Sequence, residues 1–177
     1  LPVSPYVANT ISLCDTIDIV DAKKCNAWQG NATFNPECFP TGQGTIQNPY
    51  RICTAEQLQE MNNGTYDKKH YRLGRSIDLT NSASWFGGKW FNPVGRDIYA
   101  GFSGSLDGNG FEIQNLTTKS SEDYVGLFGA AQGAAYAGVW IHNLKLSNVL
   151  IQNPGNISGG LAGMLGCAVV DGVEISN

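Results

Sequence analysis

The side chains that could carry hydrolytic chemistry are few in the second half of this chain. Glycoside hydrolysis commonly needs two carboxyl groups that flank the scissile bond. Asp107 precedes Gly108-Asn109-Gly110, a sequence typical of a turn, so its carboxylate is expected to bind its own backbone. No GxSxG or HExxH motif occurs, and structural roles are expected for His70 and His142. We therefore predict no catalytic residue and no cofactor. The carboxylates between residues 102 and 177 are Asp107, Glu112, Glu122, Asp123, Asp171 and Glu174.

Four of the five cysteines lie in the first third of the chain, and their spacing differs from that of paired CxxC zinc ligands. Two disulfides in an exported protein explain them better than a metal site does. Four cysteines allow three connectivities, which the sequence leaves open. Cys167 follows Gly166 and is predicted to be a small buried thiol. The disulfide candidates are Cys14, Cys25, Cys38 and Cys53.

An acidic triplet with even spacing, Asp15, Asp18 and Asp21, falls in the same region. It lacks the glycine and the final acidic ligand of an EF-hand, so a solvated acidic face is predicted instead of a calcium site. No metal site is expected. Ile17–Val20, which includes Asp18, is predicted as one short strand.

Four aromatic residues lie close together in sequence, next to Gly87 and Gly88, in a part of the chain that is predicted to form loops. Exposed aromatic rings flanked by polar groups can stack on sugars or anchor a protein interface. The alternative is a core position, which is slightly favoured for Trp90 and about even for Trp85. The predicted ligand-binding residues are Trp85, Phe86, Trp90 and Tyr99.

The elements that would position these side chains are indicated by a recurring unit of apolar, polar, polar and apolar residues. It occurs at Ile113–Leu116, Ile141–Leu144 and Val170–Val173, which is a nearly constant interval. A second landmark, Gly126-Leu127-Phe128-Gly129, recurs after a somewhat longer interval as Gly160-Leu161-Ala162-Gly163. Periods of about 20–50 residues are typical of solenoids, in which each unit buries its apolar face against its neighbours.

The unit at Ile141 predicts a strand that turns a corner. Leu144 and Leu146 alternate with polar residues, but Ile141 would face outward if the strand simply continued. A corner at the two polar residues resolves this conflict, because Asn and Gly tolerate left-handed backbone angles. A helix would be destabilised by about 1 kcal/mol at each of Gly126, Gly129, Gly159, Gly160, Gly163 and Gly166. The sequence therefore predicts a β-solenoid.

One short helix is predicted before the solenoid. Thr54 and Gln57 form a capping box, and Asn62-Asn63-Gly64 ends the helix. Such a helix is expected to cover the open end of the stack. Tyr71–Leu73 and Ser76–Leu79 follow as strands of the first coil.

The composition excludes several functional classes. Charged residues make up 15% of the 177 residues and the net charge is −4, without a Lys/Arg cluster. Nucleic-acid binding depends on phosphate neutralisation and is therefore not expected. No apolar run is long enough to predict a membrane span.

The order of motifs resembles that of GLUG-type repeat proteins, which are large secreted or surface-attached bacterial proteins and adhesins. The matching motifs begin with Thr54-Ala55-Glu56-Gln57-Leu58 and Trp90-Phe91-Asn92-Pro93-Val94-Gly95. They continue through Phe102–Gly110 and Gly126-Leu127-Phe128-Gly129. The resemblance covers residues 45–177 and implies an all-β fold, a right-handed parallel β-helix. It provides no catalytic residues, and residues 1–44 are predicted to form an irregular, disulfide-stapled cap.

These observations predict a secreted or cell-surface adhesin or fibre-tip domain that binds a cell-surface glycan or protein ligand through its loops. The alternatives are a carbohydrate-active β-helix enzyme and a structural stalk segment. Asn177 aligns with Asn148, so a coil is complete there without a visible cap. We expect further chain or another subunit to cover this end, and a homo-oligomer such as a trimer is one hypothesis.

Overall fold

The computed structural model describes residues 11–133, 138–152 and 157–177, which are mostly β-structure. Residues 1–10 of the predicted N-terminal segment lie outside these ranges, and its boundary at residue 44 stays a prediction. The helices are α1 (Thr16–Asp21) and α2 (Ala55–Glu60), with short 3-10 segments at Ala22–Lys24, Ala27–Gln29, Pro36–Cys38, Met61–Asp67 and Thr80–Gly87. The strands are β1 (Tyr50–Ile52), β2 (His70–Leu73), β3 (Ile77–Asp78), β4 (Ser105–Asp107), β5 (Glu112–Gln114), β6 (Thr117–Thr118), β7 (Tyr124–Val125), β8 (Phe128–Gln132), β9 (Val139–Ser147), β10 (Leu150–Ile151), β11 (Ile157–Ser158), β12 (Ala162–Gly166) and β13 (Ala168–Ser176).

The strands stack as a parallel β-solenoid of about three turns. The largest sheet runs β1-β2-β4-β9-β13, and β3 and β5 extend it alongside the second half of β9. Three smaller sheets pair β6 with β10, β7 with β11 and β8 with β12. Each pair joins one coil to the next in parallel, so the predicted all-β parallel β-helix is confirmed.

Left-handed backbone angles form the corners, as predicted. Asn143 has a φ of 52° in the middle of β9, and Gly172 has a φ of 60° in the middle of β13. Ile141 and Leu144 can therefore both be buried, although they flank two polar residues. Asn115 and Asn148 take the same conformation at a second corner, with φ of 59° and 51°.

The strand register corrects one predicted equivalence between repeats. Val170 pairs with Ile141, which confirms the alignment of these two units, but Ile113 pairs with Leu146. The residue that lies beside Ile141 in the preceding coil is Leu106, so the predicted alignment of Ile113 with Ile141 is wrong. Both corners require a left-handed residue between buried apolar ones, and the local pattern marks a corner without identifying which one.

The glycine landmark marks close approach between coils. Phe128 pairs with Ala162, which confirms the predicted alignment of the two glycine-containing units. A Cβ atom at Gly126 would collide with the carbonyl oxygen of Gly159 in the next coil, and one at Gly129 would collide with that of Gly95 in the preceding coil. Glycine is needed at both positions because backbone occupies the space of a side chain.

A continuous series of aromatic rings runs through the core from the N-terminal segment into the coils. The ring centroids of Phe39 and Tyr50 lie 4.9 Å apart, and those of Tyr50 and Tyr71 lie 5.9 Å apart. Phe102 continues the series at 6.3 Å from Tyr71, and Phe128 lies 5.0 Å from Phe102. Each fully buried Phe contributes about 1.5–3 kcal/mol through removal from water, so the series ties the N-terminal segment to the coils.

Helix α2 covers the N-terminal end of the stack, as predicted. The capping box of Thr54 and Gln57 is complete in both directions. The Gln59 side-chain amide donates to the carbonyl oxygen of Asn92 at 2.9 Å and accepts from its backbone N–H at 2.8 Å. Asn62 Oδ1 accepts from the backbone N–H of Gly95. These side chains pair with backbone groups of the first coil that would otherwise form an open edge.

The predicted strand at Ile17–Val20 is wrong, because these residues belong to helix α1. Asp15 caps this helix by accepting from the backbone N–H groups of Ile17 and Asp18, and Asp18 closes the capping box. The cap outweighs the strand preference of Ile and Val. The predicted solvated acidic face is also wrong at Asp18, which is fully buried and accepts from Thr41 Oγ1 at 2.6 Å and Arg51 Nη1 at 3.2 Å.

Two disulfides are confirmed, and the structure selects their connectivity. Cys14 bonds to Cys53, and Cys25 bonds to Cys38 within that loop. Cys53 directly follows β1, so the longer loop ties the N-terminal segment to the first strand of the stack. On the chain-entropy model the Cys25–Cys38 bond contributes about 3 kcal/mol and the Cys14–Cys53 bond, which closes a longer loop, about 4 kcal/mol by restricting the unfolded chain.

The buried carboxylate of Glu60 organises the segment between Asn26 and Asn35. Its Oε2 accepts from the backbone N–H groups of Asn26 and Ala27, each at 3.0 Å. Its Oε1 accepts from the backbone N–H of Asn35 and from the Asn63 side chain, each at 3.0 Å. Four donors balance the desolvation of this charge and join α2 to the irregular segment.

The last coil is less covered than the others. Val170 and Ile175 stack on the buried Ile141 and Leu146, yet they are 41% and 50% exposed. Cys167 is exposed and has a φ of 48°, so the prediction of a buried thiol is wrong. It occupies the corner between β12 and β13 instead of an inward strand position. That further chain or another subunit covers this end stays a prediction.

We expect Glu60→Gln to lower the free energy of unfolding by about 2–3 kcal/mol, because an amide nitrogen cannot accept the hydrogen bonds that one carboxylate oxygen accepts. Glu56→Gln, the same change on a partly exposed residue of α2, is the matched control and should cost less than about 0.5 kcal/mol. Urea unfolding with the disulfides intact measures both. Equal losses in the two variants would contradict the role assigned to Glu60.

We expect one cysteine to be alkylated in the native protein and five after reduction and unfolding, because four form disulfides and Cys167 is exposed. Mass spectrometry with an alkylating reagent counts the labels. A native protein that takes up no label, or more than one, would contradict this assignment.

Candidate functional site

The structure separates the four aromatic residues that were predicted to bind a ligand. Trp85 is 4% exposed and lies in the core, where its ring centroid is 6.1 Å from that of Trp28. The expectation that it presents an exposed ring is therefore wrong. The loop that carries it forms 3-10 turns within Thr80–Gly87 with a kink at Trp85 and Phe86, and the Trp85 ring packs against Trp28 of the N-terminal segment.

Tyr99 is 85% exposed and lies apart from the other three residues. Asp97 Oδ1 accepts from the backbone N–H groups of Tyr99 and Ala100, at 2.8 and 2.9 Å. These two bonds hold the pKa of Asp97 below its usual range. The loop is thus ordered by its own carboxylate, with the tyrosine ring left in solvent.

Phe86 and Trp90 meet in one groove, which we call the Trp90 groove, with a volume of about 580 Å³. One wall is formed by residues from the stretch 86–92. The other is formed by residues 118–122, which begin at the end of β6, and Gln152, just after β10, also lines the groove. Two residues of the groove also have structural roles. The backbone N–H of Asn92 donates to Gln59 of the capping helix α2, and Phe91 is buried in the core. The lining residues are Phe86, Lys89, Trp90, Phe91, Asn92, Thr118, Lys119, Ser120, Ser121, Glu122 and Gln152.

Both predicted aromatic residues of the groove have a left-handed backbone. Phe86 has a φ of 51° and Trp90 a φ of 68°. This conformation costs a residue with a side chain about 1–2 kcal/mol, and such strain often lies at functional sites. Trp90 is held there by an antiparallel bridge to Thr118. The strained backbone at these two positions thus accompanies the placement of two large aromatic rings in the groove.

A positive charge lies next to the tryptophan ring. Lys119 Nζ is 5.4 Å from the centroid of Trp90, within the range of a cation–π contact. The backbone N–H of Lys119 donates to the carbonyl oxygen of Lys89, and both lysines line the groove. Among the described residues neither ammonium group forms an ion pair, and Glu122 is the one carboxylate that lines the groove. The groove therefore carries a net positive charge.

The Thr118 hydroxyl is a buried polar group beside the groove that lacks a partner. Thr118 is fully buried, and within the described part of the chain its Oγ1 has no hydrogen-bond partner. A buried hydroxyl without a hydrogen bond costs roughly 1–3 kcal/mol.

Trp90 also lines a second depression of about 470 Å³ on its other side. Asparagines of the second corner form part of this wall, where Asn148 Nδ2 donates to Asn115 Oδ1 at 3.2 Å. Asn115 in turn donates to Asp78, and this bond together with those from Thr80 lowers the pKa of Asp78. Trp90 therefore borders both the groove and this second depression.

The remaining candidate residues have structural explanations. Two groups of Cys, Asp and Glu come together among the described residues, Cys14-Asp18-Cys53 and Cys25-Cys38-Glu60. Their sulfur atoms are joined in disulfides and are not thiolate ligands. The Asp107 carboxylate accepts from the backbone N–H of Asn109 at 2.8 Å, as its turn sequence predicts. In the described ranges, no helix is both long and apolar enough to cross a bilayer.

The chain is similar to segments of much longer proteins. No model of a known protein family matches it. It is similar to halomucin of Haloquadratum walsbyi, with 37% identity over 137 residues, which is 72% of this chain and 1% of halomucin. It is also similar to a protein of Evansella cellulosilytica that is provisionally named a Gly-rich membrane protein, with 31% identity over 77% of this chain and 15% of that protein.

A solved structure shares the fold. It is a Bacteroides ovatus protein provisionally named an immunoglobulin A1 protease, and the match covers 75% of this chain and 35% of that protein, with 20% identity and a TM-score of 0.52. At this identity the likeness concerns the fold alone. The chain thus spans 1% and 15% of the two relatives and 35% of the solved structure that it resembles.

The strained backbone of Trp90 leads to an unusual expectation for two variants. Trp90→Gly should be more stable than Trp90→Ala by about 1 kcal/mol, because glycine takes a φ of 68° without steric cost. At Lys89, whose φ is not in the left-handed region, the order should reverse, with Lys89→Ala more stable than Lys89→Gly. Urea unfolding of the four variants tests this. If alanine were the more stable at both positions, the left-handed conformation of Trp90 would be excluded.

Proposed function

We propose that this chain is a recognition domain of a secreted or surface β-helix protein and binds a carboxylate-bearing glycan in the Trp90 groove without cleaving it. The convergence of the Trp90 ring and the Lys119 ammonium group in one groove of net positive charge carries the proposal. An aromatic ring can pack against the C–H face of a sugar, and a lysine can pair with the carboxylate of an acidic sugar.

The extracellular setting is supported by two independent observations. Two disulfides in a small segment fit an oxidising compartment. The chain is similar to parts of halomucin and of a protein provisionally named a Gly-rich membrane protein. The resemblance to GLUG-type repeat proteins and the homo-oligomer stay predictions within this proposal.

Binding without catalysis fits the groove better than hydrolysis does. Glu122 is its one carboxylate among the described residues, and glycosidases use a pair of carboxyl groups on the two sides of the scissile bond. The structural neighbour's name refers to a protease, but its likeness extends to the fold alone. The enzyme hypothesis is kept as an outcome of the experiment below.

The test measures binding and cleavage together. The purified domain is titrated with oligogalacturonate and with a neutral oligosaccharide of the same length, and new reducing ends are assayed in the same samples. We expect saturable binding of the acidic chain that weakens as salt rises, without new reducing ends. New reducing ends would overturn binding without catalysis.

Two variants locate the site. Lys119→Gln should weaken oligogalacturonate binding by about tenfold, the loss of one charge-assisted contact. Lys23→Gln, the same change on an exposed lysine of the N-terminal segment, should leave the affinity unchanged. Equal affinities in Lys119→Gln and the unaltered domain would contradict the placement of the site in this groove.

A further inference from the structure

The outward residues of the largest sheet form a grid on a face of the solenoid that is separate from the Trp90 groove. One residue from each of the strands β2, β4, β9 and β13 forms an inward-facing row, which consists of Tyr71, Leu106, Ile141 and Val170. The residues directly before and after each of them in sequence therefore point outward. Strand register places His70, Ser105, Trp140 and Val169 in one row. It places Arg72, Asp107, His142 and Asp171 in the next.

Trp140 is an exposed ring in a defined position within this grid. It is 45% exposed, although it belongs to the central strand β9 and not to a loop. His142 lies two residues further along the same face and stacks against it, with ring centroids 4.5 Å apart and planes 28° apart. The stacked imidazole limits the rotation of the indole, so part of the entropy cost of binding is already met.

Hydrogen bonds position that imidazole in turn. Asn143 Nδ2 lies 2.9 Å from His142 Nδ1 and donates to Asp107 Oδ1 at 3.4 Å. Asp107 Oδ2 accepts from Arg72 Nε at 2.8 Å. The series from Arg72 to Trp140 crosses three neighbouring strands, and so the exposed ring rests on a connected polar network.

The row that contains Trp140 also offers neutral hydrogen-bonding groups. Ser105 pairs with Trp140 across the strands, and its Oγ lies 2.8 Å from His70 Nδ1. Partial burial lowers the pKa of His70, which keeps the imidazole uncharged at neutral pH. A hydroxyl and a neutral imidazole beside an indole can each donate or accept a hydrogen bond with a sugar hydroxyl.

The charge of this face differs from that of the Trp90 groove. Arg72 is balanced by Asp107, and Asp171 adds a further negative charge at the end of the row. On the neighbouring stretch of the same sheet, Lys145 and Glu174 pair at 3.3 Å. The uncompensated carboxylate of Asp171 would repel an acidic polymer, whereas it would not repel a neutral one.

We infer that this outer face is a second glycan-binding site, in which a neutral pyranose stacks on Trp140 while its hydroxyl groups bind Ser105 and His70. Adjacent strands are about 4.8 Å apart, and alternate residues along a strand are about 6.6 Å apart. These spacings allow one sugar ring to contact the indole and a polar group on the neighbouring strand at once. No residue of this grid lines the Trp90 groove, so the inference stands or falls separately from the proposed function.

The experiment uses the four tryptophan indole N–H signals of the isotopically labelled full chain, which single Trp→Phe variants assign. The probes are cellohexaose, mannohexaose and xylohexaose. We expect at least one of them to shift the Trp140 signal in a saturable way. The signals of Trp85, which is buried, and of Trp28, whose Nε1 donates to the carbonyl oxygen of Cys25, serve as internal controls and should not move.

Three variants separate a ligand platform from a chance exposed ring. Because these variants lack the Trp140 signal, their affinity is measured by calorimetry: Trp140→Ala should weaken binding of the active probe by about tenfold, and Trp140→Phe should restore part of that loss. Lys119→Gln should leave this binding unchanged, although it weakens binding in the Trp90 groove. A panel that shifts no Trp140 signal, or a Trp140→Ala variant with unaltered affinity, would overturn the inference.

A result confined to one site is equally informative. Shifts of the Trp90 signal alone with these probes would overturn the second site and leave the groove as the glycan site. Shifts of the Trp140 signal alone, with no response to oligogalacturonate, would support the second site and overturn the proposed function.

Discussion

The parallel ladder between stacked coils is the constraint on which this structure depends. Each strand pairs with the same stretch of the next coil, so every coil must turn at the same places and point the same positions inward. Left-handed residues at the two corners make this possible, because they let Ile141 and Leu144 both face the core across two polar residues. Glycines at Gly126 and Gly129 then allow the coils to approach closely enough for the ladder to form.

A stack of coils has two open ends. At the N-terminal end, side chains of helix α2 form hydrogen bonds of the kind that a further coil would form. The Gln59 amide pairs with both backbone groups of Asn92, much as a strand would. Glu60, one residue later, gathers three backbone N–H groups of the N-terminal segment onto the same helix. A helix of six residues thereby joins the coils to a segment that has little regular structure, and the disulfides restrict that segment further.

A rigid stack also explains how exposed aromatic rings can be held in defined positions. Trp90 is fixed by its bridge to β6 and by a strained backbone, and Trp140 is fixed by a central strand and a stacked histidine. The two rings lie on different faces and in surroundings of different charge. A ligand that binds to such preorganised rings loses less entropy than one that must order a loop, which makes both faces suited to recognition.

Sequence patterns alone determined the solenoid, the capping helix and the presence of two disulfides, because these depend on local backbone preferences, periodicity and cysteine spacing. Tertiary structure decided what local patterns cannot distinguish. Two corners share one sequence signature, so only strand pairing shows that Ile113 lies beside Leu146. Trp85 and Trp90 are close in sequence and in similar surroundings, yet packing against Trp28 buries one and a bridge to Thr118 presents the other. The grid around Trp140 joins residues from four strands, and it exists only once the coils are stacked in register.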